Sequence, residues 1–170
     1  QHILIEAMRR GYNDRAVYMG DEDFVDVPVS KLLSSSYAKE RSANINLSKA
    51  TKSRTMPSVT SISEEGTETT HFSIIDKYGN RVAATLSINT TFGSGFVAGY
   101  TGVLLNNHMN DFVLTPNSPN IYGLVGNTKN SIEPGKRPLS SMSPTFVEDD
   151  RGVLVIGTPG GSRIISMVIL

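Results

Sequence analysis

Several short runs in this 170-residue chain gather groups that could do chemistry. They are Thr69-Thr70-His71, Ser87-Ile88-Asn89, Asn106 to Asp111, and Ser140-Ser141, each placed at the end of a strand-like stretch. Gly160-Gly161 stands ahead of a helical run, where free backbone N–H groups could hold an oxyanion or a phosphate. The phosphate-loop pattern with its Lys is missing. Three schemes fit these residues. Ser140 or Ser141 could join His108 and Asp111 in a triad, but those two lie close together in sequence and no G-x-S-x-G elbow is present. His71, His108 and Asp111 could hold a metal, but they form no short-range ligand pair of the usual kind.

The third scheme uses Thr69 after cleavage of the Glu68–Thr69 bond. A Thr hydroxyl needs a base beside it. The α-amino group of an N-terminal Thr is such a base, with a pKa near ~8 and fixed within reach of its own Oγ. The competing reading is that a Thr pair is ordinary β-branched strand material.

The elements that must position these residues follow from pattern. Ile3, Ile5, Ala7, Met8, Tyr12, Ala16 and Tyr18 predict an amphipathic helix over 2–19, stopped by Gly20. Asp21-Glu22-Asp23 reads as a solvated acidic loop, because the EF-hand spacing and its Gly are absent. Ser30 is the expected N-cap of a second helix over 31–41. From 42 to 68 no hydrophobic period survives, and Ser, Thr, Lys and Pro57 predict a mobile linker. Two strands then pair around Asp76–Asn80, a short buried strand is expected at 102–105, and a second hairpin turns at Asp149–Gly152. The polar loop 106–138 is long enough to be functional, as a lid for example.

Composition sets the bounds. The length suits one domain with a core. Sixteen basic and sixteen acidic residues balance, so neither nucleic acid nor a membrane surface is an expected partner. No apolar run reaches the length of a membrane-spanning helix. Cysteine is absent, which removes disulfides and thiolate chemistry. Both ends read as cut: Gln1 already sits in a helical pattern, and 164–170 stops without a cap. The expectation is a piece of a longer polypeptide.

The succession Thr69-Thr70-His71-Phe72-Ser73, Asn89-Thr90-Thr91-Phe92-Gly93, Leu104-Leu105-Asn106-Asn107, Met109-Asn110-Asp111-Phe112, Arg137 to Thr145 and Gly157 to Arg163 is similar to the γ-glutamyltranspeptidases, or glutathione hydrolases. Upstream, Glu6-Ala7-Met8-Arg9-Arg10, Asp14-Arg15-Ala16 and Gly20 to Val25 resemble the end of that family's large subunit. The resemblance implies an α+β fold, part of the four-layer αββα sandwich of N-terminal-nucleophile hydrolases. Residues 1–68 would be the end of the large subunit and 69–170 the first part of the small one. It implies autoproteolysis at Glu68–Thr69, then cleavage of γ-glutamyl amides such as glutathione through a γ-glutamyl-Thr intermediate, with water or an amino acid or peptide as acceptor.

Residue by residue, the resemblance makes Thr69 the nucleophile and the N–H groups of Gly160 and Gly161 the oxyanion donors. Ser87 stands where a threonine bonds the nucleophile. Asn89, Asp111, Ser140 and Ser141 match positions that hold the α-amino and α-carboxylate ends of the substrate. His108 replaces the usual Gln or Glu, so glutamyl affinity is expected to fall below about pH 6.5, where an ordinary imidazole gains charge. Tyr122 matches the tyrosine of a lid over 113–123. No cofactor and no metal are implied. The Arg that grips the substrate carboxylate has no match here, and the rest of both subunits would be required partners. Export to the periplasm or the medium is a family expectation. Two other readings stand beside this one: a non-catalytic or unprocessed piece that serves in assembly, and a relative that processes poly-γ-glutamate.

Overall fold

The computed structural model describes residues 1–56, 68–118, 120 and 123–170, with the main chain alone at Arg54. The expected lid tyrosine, Tyr122, and the part of the expected linker from 57 to 67 lie outside the described residues. The chain is mixed helix and sheet and divides into two compact units. The first comprises Gln1–Ile62 with Asn110–Leu139, the second Ser63–Met109 with Ser140–Leu170. The composition had suggested one domain with one core. Among the described residues, the buried apolar side chains are only Tyr37, Phe112 and Ile164.

In the first unit, helix α1 (His2–Tyr18) forms where the spacing predicts it, but its buried face is not the apolar one. Ile3 is 59% exposed, whereas Glu6 is 1% exposed and Arg10 is buried. Burial of charge is tolerable when every group is partnered. The Glu6 carboxylate accepts from Arg9 (2.8 Å), Arg10 (2.7 Å), and the hydroxyl (2.5 Å) and N–H (3.1 Å) of Thr51. Arg10 also donates to Asn44 Oδ1 (2.6 Å) and the Arg41 carbonyl (2.9 Å). These bonds hold Glu6 well below the usual carboxylate range, at about 2, the Thr51 hydroxyl foremost and Arg10 next. The segment expected to be a linker from 42 is therefore tied to α1 at Asn44 and Thr51. Sequence alone hides this, because the partners are polar and leave no hydrophobic period.

The second expected helix is broken in two, α2 (Val29–Leu32) and α3 (Ser35–Ser42). The cap is Ser34 rather than Ser30: its Oγ accepts from the Tyr37 N–H at 3.2 Å. Gly20 does not close α1 in a left-handed turn. It is needed because a Cβ there would meet the Lys129 carbonyl oxygen at 2.7 Å. The end of α1 is instead capped by Asn127, whose Nδ2 donates to the carbonyls of Ala16 (2.8 Å) and Val17 (2.5 Å). The acidic loop is not wholly solvated either. Asp21 is buried and accepts from Arg137 through its N–H (2.8 Å), Nε (2.9 Å) and Nη2 (2.5 Å).

The second unit is built on two antiparallel hairpins. Strand β1 (Thr69–Ile75) pairs with β2 (Arg81–Ser87), and β3 (Thr145–Asp149) with β4 (Gly152–Ile156). The first turn is set by Asp76, whose Oδ1 accepts from the N–H groups of Tyr78 (2.8 Å) and Asn80 (2.9 Å), with Gly79 at φ +85°. β4 packs against both β1 and β2, and Arg81 meets Glu148 at 2.8 Å. The strand expected at 102–105 is reduced to one bridge, Val97 with Leu104, and Val103 is 56% exposed. Helix α4 (Ile164–Ile169) follows the Gly160-Gly161 loop.

Candidate active site

The β1–β2 register places Thr69, the first residue of β1, opposite Ser87, the last of β2. Facing residues in an antiparallel pair project to the same side. The Thr69 hydroxyl donates to Ser87 Oγ at 3.0 Å. Ser87 Oγ also accepts from the Asn89 N–H at 2.9 Å. Asn89 is buried with φ +78°, a left-handed conformation that Asn tolerates better than most residues, and its Nδ2 donates to the Asn107 carbonyl at 3.2 Å.

His108 joins this set through the main chain. Its Nε2 lies 3.1 Å from the Ser87 carbonyl oxygen. A carbonyl can only accept, so this contact requires the proton on Nε2. Asn107 fixes the neighbouring turn twice, accepting from the Thr90 N–H (3.2 Å) and donating to the Thr90 hydroxyl (2.8 Å). Thr91 donates to Glu68 Oε1 at 3.1 Å, so the side chain on the other side of the Glu68–Thr69 bond is also held. Thr69, Ser87, Asn89 and His108 thus form one hydrogen-bonded set at the open end of a hairpin.

Gly160 (φ +136°) and Gly161 (φ +56°) occupy backbone conformations that suit glycine, and a Cβ on Gly160 would stand 3.0 Å from Met167 Sδ. Their loop leaves β4 past Gly157, whose α-carbon lies so close to the His71 ring that a Cβ would overlap it. His71 itself bonds Thr85 Oγ1 through Nδ1 (2.8 Å) and Ser73 Oγ through Nε2 (3.0 Å). Ser140 and Ser141 belong to the same unit, ahead of β3, where Ser140 Oγ accepts from the Met142 N–H at 3.0 Å.

Asp111 lies in the first unit, and its carbonyl accepts from Asn130 Nδ2 at 2.7 Å. The described residues hold no group of His, Asp and Glu able to bind a metal. Sequence reading missed Asn107, Asn130 and the Asp21–Arg137 pair as organising residues. The Asn-rich turns were visible, but which carbonyl an amide will bind is not a sequence property.

A family model described as gamma-glutamyltranspeptidase matches residues 1–170. The chain belongs to that family. It is 50% identical over 168 residues to the glutathione hydrolase proenzyme of Escherichia coli K12, covering 98% of this chain and 29% of the relative. A glutathione hydrolase proenzyme of a Pseudomonas species, strain A14, is 50% identical over 171 residues, with 99% and 29% covered. Among solved structures, Helicobacter pylori gamma-glutamyltranspeptidase superimposes with a TM-score of 0.56 at 52% identity, over 59% of this chain and 54% of that one. The chain of this γ-glutamyltranspeptidase family member therefore spans under a third of the length of these curated relatives.

Proposed function

We propose that this chain carries the nucleophile and much of the γ-glutamyl site of an enzyme that cleaves γ-glutamyl amides, glutathione among them, and passes the acyl group to water or to an amino acid or peptide. The observation that carries the reading is the Thr69–Ser87 hydroxyl pair, set beside a Glu68–Thr69 bond in a family whose relatives are named as proenzymes. The partial αββα sandwich, the large- and small-subunit division at Glu68–Thr69 and export from the cytoplasm belong to the same proposal.

The chemistry starts with the precursor. Thr69 Oγ attacks the Glu68 carbonyl, the acyl group moves from nitrogen to oxygen, and water hydrolyses the ester. This leaves a carboxylate on Glu68 and a free amine on Thr69. That amine then takes the Oγ proton as Oγ attacks the γ-carbonyl of the substrate. The oxyanion of the tetrahedral intermediate is met by the N–H groups of Gly160 and Gly161. Collapse expels the leaving amine, which receives the proton, and a γ-glutamyl ester remains on Thr69. Water releases glutamate, or an acceptor amine forms a new γ-glutamyl amide.

Asp111 is chemically suited to the substrate ammonium, and Asn89, Ser140 and Ser141 to neutral donation toward its ends. Tyr122 would cover the bound group from the loop 113–123. The same full-length polypeptide acting only in assembly, or on poly-γ-glutamate, is distinguished by two assays: cleavage at Glu68–Thr69, and chromophore release from γ-glutamyl-p-nitroanilide. Absence of both contradicts the enzyme reading, and turnover confined to polymer contradicts the glutathione-type substrate.

A further inference from the structure

Asn130, which bonds the main chain of Asp111, is buried at 4% exposed. It ends the 3-10 turn Thr128–Asn130, and both ends of its side chain are used. Nδ2 donates to the Asp111 carbonyl at 2.7 Å, and Oδ1 accepts from the Leu139 N–H at 3.1 Å. Its own carbonyl accepts from the Val113 N–H at 2.8 Å, beside the parallel bridge of Val113 with Ser131. One residue therefore holds the chain on both sides of Phe112, which is buried, and also the residue peptide-bonded to Ser140.

The choice of Asn follows from these partners. A carbonyl needs a donor and an N–H needs an acceptor, and only a carboxamide offers both from one planar group of this size. Asp would keep the shape and the acceptor but set a second oxygen against the Asp111 carbonyl. A buried group that loses its partner costs more than the bond itself was worth.

We infer that Asn130 is a positioning residue for γ-glutamyl recognition, acting through the main chain of Asp111 and Leu139 and not by touching substrate. The inference rests on the reading given under Proposed function, in which Asp111 takes the substrate ammonium and Ser140 and Ser141 its carboxylate. Asn130 then fixes where Asp111 and the entry to Ser140 begin, and the nucleophile at Thr69 does not depend on it.

The test uses the full-length polypeptide with Asn130→Asp, and Asn130→Ser as a second, smaller replacement should the first not give soluble protein. Self-cleavage is followed by intact mass. Initial rates are measured with γ-glutamyl-p-nitroanilide and with glutaryl-p-nitroanilide, which lacks the α-ammonium. The expected result is complete self-cleavage, a KM for the γ-glutamyl substrate raised about tenfold or more, and kcat changed by less than about threefold. The preference for the γ-glutamyl over the glutaryl compound also shrinks by about tenfold, which a merely structural role would not produce. An unchanged KM and preference overturn the inference while wild-type cleavage and turnover stand. So does a loss of kcat and self-cleavage together with an unaltered preference. A wild-type protein that neither cuts itself nor turns over substrate overturns the reading beneath it.

Discussion

Thr69 Oγ1 and Ser87 Oγ meet at 3.0 Å across the open end of the first hairpin, where β1 begins and β2 ends. Their meeting is a consequence of register. A slip of one residue would send the facing side chain to the other side of the sheet. That register is fixed at the far end of the hairpin, by the Asp76 carboxylate and by Gly79. The Thr69 hydroxyl donates to Ser87 Oγ, which leaves its own oxygen lone pairs outside that bond.

Removing the partner hydroxyl should leave the nucleophile in place but poorly aimed. Ser87→Ala is expected to lower kcat by about ten- to a hundredfold, because small misplacements of a reacting atom are costly. Ser87→Thr keeps the hydroxyl and should retain most of the activity. Steady-state rates with γ-glutamyl-p-nitroanilide check this. Equal losses in both variants would mean that the hydroxyl has no orienting role.

Acid should loosen the first unit. Glu6 is held down to about 2, chiefly by the Thr51 hydroxyl, and the Arg137 guanidinium holds Asp21 well below the carboxylate range. A carboxylate whose folded pKa is depressed stabilises the fold above its unfolded pKa, about 4. That contribution is lost as pH falls through the folded value. Near-UV circular dichroism of the tyrosines against pH should show an acid transition below about pH 4. Asp21→Asn should flatten it and lower the melting temperature at neutral pH by more than Asp149→Asn, whose Arg151 partner is exposed. Identical acid limbs in Asp21→Asn and wild type would contradict this.

The hairpins and α1 were legible in the sequence because period and turn chemistry are local. Asp76-Lys77-Tyr78-Gly79-Asn80 specifies a turn from its own residues, and the pairing of Thr69 with Ser87 follows by counting outward. The face that α1 buries was not legible. A Glu6–Arg10 pair looks like a solvated helix surface until Thr51 and Asn44 close over it. Asp21-Glu22-Asp23 likewise reads as a wet acidic loop, because its partner Arg137 is distant in sequence. Thr69, Ser87, Asn89 and His108 stand out in the sequence as polar groups at strand ends, and the motif resemblance adds a role for each. Their hydrogen-bonded assembly, with Asn107 holding the neighbouring turn, needed the fold.

The proposed mechanism makes Thr69 a nucleophile uncovered by its own attack on the Glu68 carbonyl. Intact mass spectrometry of the full-length polypeptide, wild type beside Thr69→Ala, tests it most directly. The wild type is expected to separate into two chains, the second beginning at Thr69, and Thr69→Ala to stay a single chain. A Thr69→Ala protein cut at the same bond, or a wild type that remains intact while hydrolysing γ-glutamyl-p-nitroanilide, would contradict it.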